Sequence, residues 1–299
     1  VALGSDLITR LREGRTVPVL TVLAALVVLW YGFAIYLNAA WQLDLYAKAK
    51  SDWTVSDLVS DTLNQDRPVL PAAHQVFIEI WNTTVDKPIT SKRSLFYHGW
   101  ITLSATLLGF AIGTGLGVTL AVFIIHNRAV DRSLMPWVVA SQTIPILAIA
   151  PMIIVVLNAV GLSGLLPKAL ISAYLSFFPV VVGMVTGLRS PETQLLDLMH
   201  TYNASAWQTF WKLRWPSSVP YLFTSMKVAV AISLVGAIVG ELPTGAVAGL
   251  GARLLAGSYY GQTIQIWSAL FAAAALAAVL VILVGIANRL VLRRMGMAQ

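Results

Sequence analysis

Residues 189–220, RSPETQLLDLMHTYNASAWQTFWKLRWPSSVP, are polar and amphipathic and lie between two strongly apolar runs. Connections inside a compact helical domain need only a few residues. One of about thirty with its own helical pattern reads as a docking element rather than a linker. Ser190 is a candidate N-cap, Pro191 suits a first turn, and Glu192 lies where the helix dipole favours negative charge. Leu195, Leu196, Leu198, Met199 and Tyr202 recur at helical spacing and form one apolar face. Asn203 interrupts them; after Gly, Asn most readily takes the left-handed backbone that ends a helix. A second amphipathic piece carries Trp207, Phe210, Trp211 and Trp215 among Gln208, Lys212 and Arg214. Pro216 is expected to stop it. The pattern predicts helix, break, helix.

The flanking composition fixes the solvent. The 299 residues are 58% hydrophobic and 11% charged, with mean hydropathy +0.77, whereas soluble domains carry about 25% charged residues. Residues 133–167 and 254–288 hold no charge, and 94–130 hold only His98 and His126 before Arg128. Each run exceeds the roughly 20 residues that cross a bilayer. The reading is an all-α integral membrane protein with six transmembrane helices, near 17–37, 100–125, 137–160, 169–188, 221–241 and 265–288. The first is too long for a signal-peptide core and is taken as retained. Both termini and the 189–220 loop then lie on the cytoplasmic side. The formal charge of +7 is concentrated at span ends, starting with Arg10, Arg12 and Arg15. That is a positive-inside distribution and not a nucleic-acid footprint.

Three regions follow: 1–37, the cytoplasmic N-terminus with the first span; 38–99, an extracytoplasmic segment; and 100–299, the core domain. The 38–99 segment is expected to hold two short helices, near 54–63 and 72–84, the second amphipathic and suited to the membrane interface. Its two proline breaks, Pro68 and Pro71, leave little core for a ligand-binding module of its own. In the second span Gly109, Gly113 and Gly117 make a smooth stripe against which another helix can pack closely. Gly236 and Gly240 repeat the spacing in the fifth span, and Pro145 and Pro151 interrupt the third.

The 189–220 stretch resembles the EAA loop of permease subunits of bacterial ABC importers. That pattern is Glu-Ala-Ala, three residues, Gly, nine residues, then Ile-x-Leu-Pro. Anchored on Pro216, it puts Asp197 on the Glu, Leu198 and Met199 on the Ala pair, Asn203 on the Gly, Leu213 on the Ile and Trp215 on the Leu. The spacing fits without gaps while the residues depart from the pattern. The runs VLPAAHQVF (69–77), HGWITLSATLLGFAIGTGLG (98–117) and QTIPILAIAPMIIVVLNAVGLSGLLPKALI (142–171) are similar to permeases that import nitrate, sulfonates, taurine, pyrimidines and vitamin-like solutes. GLG at 249–251 also occurs in that subfamily.

The resemblance implies a type I importer permease fold in the bacterial inner membrane. It implies as partners a second permease, two ATPase subunits that use ATP and Mg, and an extracytoplasmic substrate-binding protein. The ATPase-docking residues would be Leu195, Asp197, Leu198, Met199, Tyr202, Asn203, Ala204, Trp207 and Pro216. No phosphate-binding G-x-x-x-x-G-K-[ST], no G-x-S-x-G and no H-E-x-x-H occurs, and there are no cysteines, so the chain is read as neither an enzyme nor a metal or cofactor binder. Polar residues within spans usually face protein or a water-filled path. Ser141, Gln142, Asn158, Tyr174, Ser176 and Ser233 are the candidate substrate-pathway residues. Glu241, at the end of the fifth span, is a further one: it gates, pairs with Arg253, or rests at the interface. The competing class is a stand-alone channel or gradient-driven transporter, which has no use for the 189–220 element.

Overall fold

The computed structural model describes residues 16–243 and 248–297, and every regular element among them is helical. The arginines at 10, 12 and 15 lie outside the described residues. The chain divides into two compact units.

The first unit runs to Lys87 and also takes in Ala256–Ser268. Its long helix α1 (Thr16–Ala49) continues well past the expected end of the first span. At about 1.5 Å per residue, 34 residues reach about 51 Å, more than the roughly 30 Å hydrocarbon layer requires. The extra turns carry polar side chains that organise the segment after it. Asn38 is fully buried; its Nδ2 donates to the carbonyls of Thr62 (3.3 Å) and Leu70 (2.9 Å). Its Oδ1 accepts from the N–H groups of Val69 (2.8 Å) and Leu70 (3.2 Å). One side chain thus satisfies four backbone groups of an irregular stretch that has no ladder of its own. Gln42 adds Gln65 (3.0 Å) and Asp61 (3.4 Å).

The short helices fall where the pattern placed them, as α2 (Val55–Leu63) and α3 (Ala73–Thr84). Thr54 caps α2 reciprocally with Asp57, and the Thr54 hydroxyl and backbone N–H hold the Asp57 carboxyl below the usual carboxylate range. In α3, Val76 is buried while Phe77 and Trp81 remain exposed. Trp30 of α1 donates to the Pro71 carbonyl (2.9 Å) and packs on Trp267, and Thr263 donates to the Pro68 carbonyl at 2.5 Å.

The second unit comprises Pro88–Leu255 and the chain from Ala269 on. Its helices are α4 (Leu95–His126), α5 (Arg128–Ala140), α6 (Ile146–Ala159), α7 (Leu165–Arg189), α8 (Thr193–Thr201) and α9 (Ala206–Glu241). It shares α10 (Leu250–Tyr259) and α11 (Thr263–Arg294) with the first unit. Among the described residues, five helices are long and apolar enough to cross a membrane: α1, α4, α7, α9 and α11. The third expected span, 137–160, is not one helix. It is built as α5 and α6 with a break at 141–145, because Pro145 has no N–H for the Ser141 carbonyl one turn back. The Tyr174 hydroxyl of α7 donates to that orphaned carbonyl at 2.5 Å.

Helix α7 packs against both α4 and α9. The glycine stripe does what its spacing predicts. A Cβ on Gly109 would meet Ser172 and Ala169 of α7, one on Gly113 would meet Ser176 and Ala173, and one on Gly117 would meet Val180 and Phe177. On the other flank of α7, Gly236 faces Ser172 and Gly240 faces Lys168. Nearer the docking stretch the roles reverse, and Gly183 and Gly187 of α7 face Ser225 and Ser218 of α9. Backbones approach this closely only without side chains between them. Gly109→Val is therefore expected to cost about 1–3 kcal/mol through overpacking and to lower the thermal midpoint in detergent. Gly115, which has nothing within 4 Å of its Cβ position, should tolerate Ala without a comparable loss.

Candidate functional site

The 189–220 stretch folds as helix, break, helix, with two corrections at its ends. Helix α8 begins at Thr193 with Glu192 as its N-cap, so Ser190 and Pro191 lie before it. The Ser190 hydroxyl instead closes the end of α7 by donating to the Gly187 carbonyl at 2.8 Å. Asn203 has φ +51°, the left-handed conformation expected of it. Its N–H bonds the His200 carbonyl (2.9 Å) and the next N–H, of Ala204, reaches back to Met199 (2.9 Å). These two bonds make a Schellman end with Asn203 at C′. Ser205 then caps the following helix: its hydroxyl accepts from Gln208 N–H at 3.3 Å, and Gln208 Oε1 accepts from Ser205 N–H at 2.9 Å. The S-x-x-Q spacing that announces this capping box is legible in the sequence, but was not read there.

Pro216 does not stop the second helix. The chain runs on through Phe210–Arg214 as a single π-helical turn into Trp215–Glu241. The Trp215 N–H bonds Phe210 five residues back, and the wider turn brings Pro216 into the first turn of a new α-helical stretch, where its missing N–H costs nothing. The second helix of the 189–220 stretch and the fifth span are thus one helix.

The stretch is anchored at one end and bare at the other. Phe210 is buried against Ile124 of α4, Val138 of α5 and Leu188 of α7, with His126 at 5.0 Å between ring centres. Trp211 and Trp215 continue the ring cluster. Arg214 donates to the Leu188 carbonyl (3.0 Å), and Arg189 pairs with Asp131 at 2.8 Å. Helix α8, by contrast, buries no residue. Leu195, Leu198, Tyr202 and Trp207 are exposed by 43%, 49%, 77% and 67%, and Asp197 beside them is also exposed. Leu196, Met199, Ala204 and Pro216 are half-buried. Helix α8 thus presents apolar side chains at the protein surface with no element among the described residues covering them.

The expected pathway residues do not converge. Ser233 donates to the Thr106 carbonyl (2.9 Å), and Ser176 lies at 3.5 Å from that of Gly109; both are buried between helices. Ser141 and Tyr174 hold the α5–α6 break, while Gln142 and Asn158 are exposed. An open groove of about 720 Å³ lies elsewhere, between α7 and α9. Phe178, Pro179 and Thr186 line one side of it, Tyr221, Thr224 and Val228 the other, and none of its lining residues is charged. Pro179 of α7 and Pro220 of α9 both line it.

Glu241, the last residue of α9, is fully buried. Its carboxylate accepts from Thr102 Oγ1 (2.9 Å and 3.0 Å to its two oxygens) and from Gly251 N–H (2.8 Å), and Lys168 Nζ stands at 4.0 Å.

This architecture has relatives. Residues 113–297 match the family of binding-protein-dependent transport system inner membrane components. The chain belongs to that family. Over 174 residues it is 36% identical to the formylaminopyrimidine transport permease protein ThiX of Halalkalibacterium halodurans, covering 58% of this chain and 66% of that protein. Over 225 residues it is 32% identical to the riboflavin transport system permease protein RibX of Chloroflexus aurantiacus, covering 75% and 80%. The aliphatic sulfonates permease protein SsuC of Bacillus subtilis is 25% identical, over 61% of this chain and 64% of that one. Among solved structures, the MetNI methionine ABC transporter superposes with TM-score 0.56 at 19% identity, over 67% of this chain and 95% of that one, a likeness of fold.

In this family member, Asn203→Ile is expected to lose about 1–2 kcal/mol of local stability, because a β-branched side chain strains the left-handed turn that Asn tolerates. Asn203→Gly should keep the turn. Proteolytic nicking within 198–208 of the purified protein checks both: faster for Ile, unchanged for Gly.

Proposed function

We propose that the chain is a permease subunit of an ATP-driven importer, coupled through residues 189–220 to a separate ATPase. The observation that carries this reading is the exposed apolar face of α8 and Trp207, joined through one short capped turn to a membrane-crossing helix. A soluble clamp that grips α8 reaches α9 through the short turn at 202–205, which the Asn203 helix end and the Ser205 cap hold in one conformation. Family membership supports a complex of two permeases, two ATPase subunits using ATP and Mg, and an extracytoplasmic binding protein. The positive-inside pattern supports termini and docking stretch on the cytoplasmic side of the bacterial inner membrane. The chain itself then carries no catalytic step.

For the solute, the uncharged groove beside Phe178 and Tyr221 favours a neutral, ring-shaped molecule of the pyrimidine or flavin kind over nitrate or a sulfonate. An inorganic anion leaving water in such a groove would find no fixed cation to offset its desolvation. The hydroxyls of Thr186 and Thr224 donate to the carbonyls of Val182 and Pro220 (2.8 Å each), which leaves their oxygens to accept from heterocycle N–H groups.

Truncating Tyr202 and Trp207 together to Ala is expected to weaken association with the ATPase at least tenfold, since each removes a large exposed ring from the contact. Titration of the partner ATPase against the permease in nanodiscs measures it. Unchanged affinity would remove α8 as the docking face.

A further inference from the structure

The far end of α9 from the docking stretch holds the most heavily bonded polar cluster in the second unit. Three successive backbone N–H groups at the start of α10 are each taken by a side chain from another helix. Gly249 N–H donates to His98 Nδ1 (3.0 Å), Leu250 N–H to Thr102 Oγ1 (2.9 Å) and Gly251 N–H to Glu241 Oε2 (2.8 Å). A helix start leaves four such groups without intrahelical partners, and here three of them are capped from α4 and α9. Accepting at Nδ1 fixes the His98 proton on Nε2, which donates to the Lys92 carbonyl at 3.0 Å. Lys168 of α7 completes the ring, near the carboxylate and 3.4 Å from the Ala248 carbonyl.

The glycines are shaped for this contact. Gly249 has φ +128°, and a Cβ there would run into the Glu241 carboxyl group; one on Gly251 would stand 2.9 Å from Glu241 Cβ. The side chains at 249 and 251 are absent so that the turn can lie on the carboxylate.

We infer that His98, Thr102 and Glu241 are positioning residues that latch the start of α10, and that displacement of α9 from its docking end releases this latch during the transport cycle. The inference rests on the coupling role proposed above. Glu241 is the terminal residue of the helix that begins at Ala206, so any axial shift or tilt of α9 moves its carboxylate relative to Thr102 of α4. At three places along the contact between α9 and α7 a glycine faces a serine, at Gly183–Ser225, Gly187–Ser218 and Gly236–Ser172. Small side chains at those places leave little to interlock and suit the small sliding of packed helices. The bonds of the Glu241 carboxylate to Thr102 and to the Gly251 N–H lie at 2.8–3.0 Å, so a slide of α9 by about 1 Å takes them out of hydrogen-bonding range. Loss of the Glu241 cap loosens the first turn of α10.

Hydrogen exchange in the assembled complex with its ATPase tests this, read on peptides spanning 248–255 without nucleotide and after vanadate trapping. The expected result is slow exchange without nucleotide and exchange about tenfold faster or more in the trapped state. Glu241→Ala and Thr102→Val should exchange fast in both states. Glu241→Gln, whose amide oxygen still accepts from Gly251, should restore slow exchange without nucleotide. Should Glu241→Ala fail to fold, Thr102→Val and the wild-type comparison carry the test. Wild-type exchange that is the same in both states, in a complex that hydrolyses ATP, overturns the latch and leaves the permease reading standing. A chain that forms no complex with an ATPase overturns both.

Discussion

Direct contact between helix backbones along α7 is the constraint on which the second unit depends. Glycines alternate with serines across the seam: α4 gives glycine where α7 gives Ser172 and Ser176, and α7 gives glycine where α9 gives Ser218 and Ser225. In a lipid environment the hydrophobic effect does not drive helices together, so the close approach itself and the hydrogen bonds it permits must do so. Ser172 donates to the Ser233 carbonyl (2.8 Å) and Ser233 to that of Thr106 (2.9 Å), which links three helices through two hydroxyls. The polar residues of these spans are therefore first of all adhesive. That is why Ser176 and Ser233, polar and intramembrane, face helix backbone and not the groove.

The seam also sets what can move. Where glycine faces serine, α9 and α7 meet on a shallow surface. At one end of α9 the aromatic cluster around Phe210 fixes it to α4, α5 and α7, and at the other Glu241 fixes it to the start of α10. A π-helical turn sits between the docking stretch and the span, where a proline would otherwise have broken the rod. Mechanical continuity from α8 to Glu241 thus depends on one irregular turn and one left-handed asparagine.

Much of this was legible in sequence, and the failures have physical reasons. Asn203, the glycine stripes and the two helices of the 38–99 segment were readable because each is local: a backbone preference, a four-residue spacing, an amphipathic period. Pro216 misled because the rule that proline ends a helix assumes an unchanged α-helical register, and a π turn changes it. Pro145 did the opposite, dividing a run that composition alone reads as one span. The roles of Asn38, His98 and Thr102 could not be read, since each satisfies backbone groups more than twenty residues away, and no pattern along the chain records such a pairing. Length and proline content suggested that the 38–99 segment had little to hold it, yet side-chain amides organise it by bonding its backbone directly.

The central claim is that the chain couples to a separate ATPase, and native mass spectrometry of the tagged chain, purified in mild detergent with its partners co-expressed, tests it most directly. The account predicts a complex containing two ATPase subunits and two permeases, lost when Tyr202 and Trp207 are both truncated. A chain that purifies alone or only with its own copies, and that carries solute down a gradient in ATP-free liposomes, would contradict it.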